Sequence, residues 1–305
     1  MQSKRIWQSA VARILSRKWN GLPAPDVIAM LAREVRGSLK QSKRADLNAI
    51  CATVGVSIQY KPLGVDALLQ EMETGYIASI NSASSKVRQR FSIAHEVGHV
   101  MLYNATGLAQ AFGHLSPNER KSSEAIEIEE LCNRFAAELL MPIADWQKQI
   151  FSEGISLKVI RRLMSRYEVS ISAAARRVID AEVWKCAIVI WTPISQGDFL
   201  TELKPVQCCE NITRGGHAWP RVIPNTEEFR IPGSPLYALE KKTETKGKMP
   251  LPFDMMGGNY LAQSDIVYGQ PFQVATLMIP ESYGWEIILR SDEGNQRTIS
   301  KKQSL

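Results

Sequence analysis

The sequence predicts an α+β protein, on three observations. Apolar residues before Trp184 recur mostly with the spacing of amphipathic helices. Two short β-forming runs, VSIQYKP and YIASIN, interrupt them between Val56 and Asn81. After Trp184 the texture changes to CAIVIWTP, FQVATLMIP and WEIILRS, separated by loops rich in proline, glycine and charge.

In order, residues 3–19 and 26–40 read as helices, broken by Pro23 and Pro25, with Asp26 as N-cap of the second. GSLKQSKR (37–44) is a polar joint. ADLNAICATVG is a short helix ending at Gly55, followed by the VSIQYKP strand. YIASIN and KVRQRF are expected to pair as strands and lead into a helix containing His95. IEIEELCNRFAAELLMP (126–142) is a periodic helix stopped by Pro142. From WQKQI to ARRVIDAEV the chain reads as helical. The expected domains are 1–145, 146–183 and 184–305.

With 305 residues the chain can bury a sizeable core, and 45% apolar with 22% charged residues is ordinary globular composition. No apolar run approaches the ~20 residues of a membrane span. The basic N-terminus reads as an amphipathic helix rather than a signal peptide. Cys51, Cys132, Cys186, Cys208 and Cys209 form no Cys-x-x-Cys pair, which with the preceding features predicts a cytoplasmic protein. The net charge of +6 permits an anionic partner without requiring one.

The chemistry concentrates in RFSIAHEVGHVMLY (90–103). His95 and His99, at i and i+4, point both imidazoles at one metal ion if the segment is a helix. Glu96 falls about 100° round that helix, beside the metal, where a general base for a bound water belongs. A catalytic zinc needs a third protein ligand and an open fourth position. The 126–142 helix offers Glu129, with Asn133 one turn away to orient a ligating histidine. Glu127, Glu130 and Glu138 are rival ligands, of which Glu127 and Glu130 read as solvated charges.

RFSIAHEVGH followed by EELCNRFAAELLMP resembles the ImmA/IrrE family of zinc metallopeptidases, over roughly residues 45–145. The resemblance implies a zincin-like domain, Zn2+ held by His95, His99 and Glu129, and Glu96 as the catalytic glutamate. Cys132 departs from the family's usual alanine but is small enough to fit. Tyr76, Tyr103 and His114 are candidates for stabilising the oxyanion.

Residues 156–180 read as helix, turn at Glu168-Val169-Ser170, helix, and resemble a helix-turn-helix; Arg161, Arg162, Arg166, Arg176 and Arg177 are candidate phosphate contacts. By size and position, 184–305 resembles the GAF-like sensor domain of IrrE-type proteins, and the layout resembles the regulatory proteases of CBASS anti-phage operons. If Cys208-Cys209 lies in a loop that reaches the metal, either thiol can fill the open position as an inhibitory ligand. The resemblance implies a peptidase that cleaves a helix-turn-helix repressor. The expected activating signal is nucleic acid, such as single-stranded DNA, or another polyanion, bound through Lys4, Arg5, Arg13, Arg17, Lys18, the arginines of 156–177 and Lys241 to Lys248, with Trp7, Trp19, Trp191 and Trp219 as stacking candidates. The alternatives are a DNA-binding regulator with a structural zinc and a scaffold that binds a repressor without cutting it.

Overall fold

The computed structural model describes residues 7–38, 44–108, 122–196, 199–210, 223–248, 260–267 and 273–281. It is α+β and divides into two units, Ser3–Pro142 with Ser165–Ser170, and Ile143–Met164 with Ile171–Leu305.

The N-terminal unit begins with α1 (Ala10–Lys18), α2 (Ala24–Ser38) and α3 (Leu47–Val54). Ser9 caps α1, and Asp46 caps α3 by accepting from the Ala49 N–H. Gly55 ends α3 in the left-handed conformation, φ 75°. Asp26 is not the cap of α2 but its third residue; Pro25 fits the first turn, where its missing N–H has no intrahelical partner to lose. A three-stranded sheet follows, β1 (Val56–Lys61), β2 (Ala67–Met72) and β3 (Gly75–Asn81), in the order β1-β3-β2. β3 pairs parallel with β1 and antiparallel with β2.

KVRQRF is not a strand. It opens the long helix α4 (Lys86–Thr106). Its alternation imitates a strand, but Ser85 caps the helix and the Gln89 side chain donates to the carbonyls of Asn81, Ser82 and Ser84, fixing the turn before it. The partners of YIASIN are β1 and β2 instead.

Helix α5 (Ser123–Leu140) packs along α4 and α2. Its Leu131, Phe135 and Leu139 are fully buried, worth about 1.5–3 kcal/mol each. The approach to α4 is closest at Gly98, where a Cβ would lie 3.2 Å from Cys132 Cα and 3.3 Å from its carbonyl oxygen. α2 holds the other end: Arg33 pairs with Glu138, and buried Arg36 donates to the Leu139 carbonyl at 2.7 Å. That carbonyl belongs to the last turn of α5, where no intrahelical donor is left.

The second unit contains α6 (Ile143–Glu153), most of α7 (Leu157–Tyr167) and α8 (Ile171–Asp180). Its antiparallel sheet comprises β4 (Ala187–Gln196), β5 (Phe199–Glu210), β6 (Ile223–Pro224), β7 (Thr245–Lys248), β8 (Tyr260–Val267) and β9 (Gln273–Pro280), in the order β6-β5-β4-β9-β8-β7. Residues Ala187 to Trp191 are all fully buried, because β4 is covered on both faces, and so its sequence runs apolar without alternation. Val189 and Trp191 face a cluster with Leu236 and Ala238 of α9 (Pro235–Lys241). The opposite face meets α8, where Gln207 donates to the Ser172 carbonyl. β5 was not predicted; its Pro205 sits at the register shift opposite Ile190 and Trp191, where a ladder tolerates proline. WEIILRS lies outside the described residues.

Gly98→Val is expected to destabilise the protein by about 1–3 kcal/mol through overpacking. Chemical denaturation of the wild type and the variant measures it.

Candidate metal centre

Helix α4 places His95 and His99 one turn apart, and α5 brings Glu129 to face them. His95 Nε2 lies 3.2 Å from His99 Nε2 and 3.2 Å from Glu129 Oε2, and His99 Nε2 lies 3.5 Å from Glu129 Oε1. A tetrahedral ion with bonds of about 2.0–2.1 Å holds its ligand atoms about 3.3–3.4 Å apart. The donor triangle therefore has the dimensions that zinc requires, and its two imidazoles and a carboxylate are zinc ligands by type. Among the described residues no other three His, Cys, Asp or Glu side chains converge in this way.

Asn133, one turn beyond Glu129, orients the first histidine. Its Oδ1 lies 3.0 Å from His95 Nδ1. A carbonyl oxygen can only accept, so Nδ1 carries the proton and Nε2 keeps its lone pair toward the triangle. The site is buried on one side and open on the other: the His99 side chain is 4% exposed and that of Glu129 51%.

Glu96 is buried beside the triangle. Burial, with the nearby Glu129 charge adding to it and His95 opposing, pushes its carboxyl up to about 7. Burial also disfavours the charged form of His95, but the Glu129 carboxylate outweighs this and raises its pKa. Cys132 sits between these groups as a buried thiol whose pKa burial raises well above the ordinary value, so it packs rather than reacts.

Two expectations about the rival glutamates need correction or refinement. Glu127 is not a solvated charge. It is buried, and its carboxylate accepts from the backbone N–H of Gln8 at 3.0 Å and of Ser9 at 2.7 Å. Glu124 accepts from the Ala10 N–H in the same way. These carboxylates satisfy the unpaired donors and positive dipole end of α1. Glu130 pairs with Arg134 at i+4, and Glu138 with Arg33. Glu127 stands four residues before buried Leu131, on the same helical face, but its partner, a helix start more than a hundred residues away, is not visible in that spacing.

The remaining candidates fall on other elements of the fold. Cys208 and Cys209 lie in strand β5, not in a loop, paired with Val189 and Ile188. Cys208 packs against the apolar cluster with its thiol pushed to about 11 by burial, and Cys209 accepts from Gln207 Nε2. The strand ladder removes the mobile loop on which an inhibitory thiol depended. Arg161 pairs with Asp265 and donates to the Ile266 carbonyl, Arg162 pairs with Glu153, and Arg177 is buried. Arg166 lies over the Tyr167 ring, and Arg176 is exposed. Lys241, Lys246 and Lys248 each pair with a glutamate. Trp191 is a core residue bonded to Thr276, which excludes it from base stacking. Lys4, Arg5, His114 and Trp219 lie outside the described residues.

Gly98 is the functional position that the sequence reading passed over. A glycine inside a helix costs about 1 kcal/mol relative to alanine, which marks it for a packing reason.

Asn133→Ala is expected to weaken zinc binding about 10–100-fold while leaving the stoichiometry at one; titration against a chromogenic chelator reads both. Glu127→Gln is expected to keep its zinc and lose about 1.5–3 kcal/mol of stability, since it weakens charge-assisted bonds to α1. Loss of zinc by Glu127→Gln at full folding would instead make Glu127 a ligand.

Residues 51–178 match the Peptidase_M78 family, the IrrE N-terminal-like domain. The radiation response metalloprotease IrrE of Deinococcus radiodurans is 33% identical over 156 residues, covering 50% of this chain and 46% of that protein. IrrE of Deinococcus deserti is 29% identical over 120 residues, covering 39% of this chain and 41% of that protein. The matches thus span less than half the length of these relatives. Among solved structures, a Mycobacterium tuberculosis transcriptional regulator has a similar fold, with a TM-score of 0.50 at 12% identity over 89% of this chain and 80% of that one. The His95–His99–Glu129 triangle lies inside the matched region, so residues 51–178 carry an IrrE N-terminal-like metallopeptidase domain.

Proposed function

We propose that the chain is a zinc endopeptidase that cleaves a helix-turn-helix repressor and so derepresses an operon in a stress, DNA-damage or phage-defence response. The observation that carries this reading is the donor triangle with Glu96 buried beside it. Zinc held there would polarise a water and the scissile carbonyl. Glu96 then takes the water's proton and returns it to the leaving amine. Asn133 keeps His95 in the tautomer that binds the ion, and half-exposed Glu129 leaves the site accessible from solvent. Among the described residues three protein donors rather than four converge, which favours this reading over a structural zinc, because a structural site closes its coordination shell with protein.

The second unit, a single antiparallel sheet with helices on both faces, supports the GAF-like sensor reading. The proposed signal is single-stranded DNA or another polyanion. Support for it is the net charge of +6 and exposed Arg13 and Arg17, one turn apart on α1; the ion pairs of Arg161 and Arg162 take those two away from phosphate contact.

Incubation with a helix-turn-helix repressor from a neighbouring gene, with and without chelator, tests the reading. Cleavage is expected with zinc only, and Glu96→Gln is expected to bind zinc as the wild type does while losing cleavage by a factor of about 100 or more. Near-wild-type cleavage by Glu96→Gln would remove the general-base role. Stimulation by single-stranded DNA is expected to fall steeply as salt rises.

A further inference from the structure

A polar pocket of about 410 Å³ lies in the N-terminal unit, lined by residues that include Arg44, Asp46, Asn48, Tyr60 and Arg90. None of the metal-site residues lines it. Its volume is in the range of small-molecule sites.

Two guanidinium groups from different elements meet one carboxylate there. Arg44, ahead of α3, reaches Glu168 Oε1 at 2.8 Å, and Arg90, on α4, approaches Glu168 Oε2 with its Nε at 3.4 Å. Converging guanidinium groups form a fork suited to a planar or tetrahedral anion. The carboxylate fills this fork incompletely: Arg90 Nε is buried and has no hydrogen-bond partner. The Arg44 and Glu168 side chains are 57% and 36% exposed, so their pairing contributes little. Glu168 also holds a left-handed backbone, φ 52°, which is unfavourable for a side chain of its kind. A group with three acceptor oxygens can serve both guanidinium groups, including the Nε that two oxygens leave unbonded.

The rest of the pocket suits a ligand larger than a bare anion. Tyr60, 56% exposed on edge strand β1, presents an aromatic wall, with Lys86 Nζ 5.9 Å from its ring centre as a further cation. Asp46 is held toward α3 by the Ala49 N–H, 3.1 Å away, and with Asn48 supplies acceptors for hydroxyl or amine groups. We propose that this pocket binds a nucleoside monophosphate, whose phosphate replaces the Glu168 carboxylate between Arg44 and Arg90. The proposal stands independently of the peptidase reading.

Calorimetric titration of the full, zinc-loaded chain at low salt with AMP, inorganic phosphate and adenosine tests it. AMP is expected to bind at one per chain and more tightly than phosphate, and adenosine not to bind. Arg44→Ala, an exposed position whose folding circular dichroism can check, is expected to weaken AMP binding by about tenfold or more. Glu168→Gln is expected to bind AMP more tightly than the wild type, because the internal competitor is gone; a purely structural ion pair predicts the reverse or no change. No AMP binding at about 1 mM, binding no tighter than that of phosphate, unchanged affinity in Arg44→Ala, or unimproved affinity in Glu168→Gln would each overturn the assignment.

Discussion

The close approach of α4 and α5 at Gly98 and Cys132 is the constraint on which the metal centre depends. Three ligand atoms must come within 3.2–3.5 Å of one another from two helices, and side chains of fixed length can do this only if the backbones are near. Gly98 lies between the two histidine turns, where a Cβ would already press on the Cys132 backbone. The conformational cost of a helical glycine, about 1 kcal/mol, is offset by the packing it permits. Cys132 fits for the same reason that alanine would: it is small and apolar when protonated, and its burial keeps it so.

Helix α5 carries carboxylates with different environments, three of them within one turn. Glu127 is buried against the start of α1, Glu129 faces the histidines, Glu130 pairs with Arg134 and Glu138 with Arg33. Each buried one is matched by donors, as burial of charge demands. This distribution leaves Glu129, half exposed and aimed at two imidazoles, as the carboxylate available to an ion. The contacts from α1 and α2 at the two ends of α5 fix its placement along α4, so residues remote from the site in sequence determine where Glu129 stands.

Much of this was legible in the sequence because the chemistry of the site is local. The His95–His99 and Glu129–Asn133 pairs are each set by helical spacing, and the strength of the α5 periodicity placed the second pair on a helix. What escaped was settled by partners distant in the chain. KVRQRF alternates like a strand, yet the Ser85 cap and the Gln89 side chain commit it to α4. Glu127 resembled a surface charge because its donors belong to Gln8 and Ser9. Cys208-Cys209 reads as a loop pair in the sequence, and only the pairing of β5 with β4 places it in a ladder.

X-ray absorption at the zinc edge of the zinc-loaded chain tests the central claim most directly. The account predicts four light ligands, two imidazole nitrogens and two oxygens, at about 2.0–2.1 Å, with the second oxygen from water. A sulfur ligand at about 2.3 Å, or a shell closed by a fourth protein side chain, would contradict it.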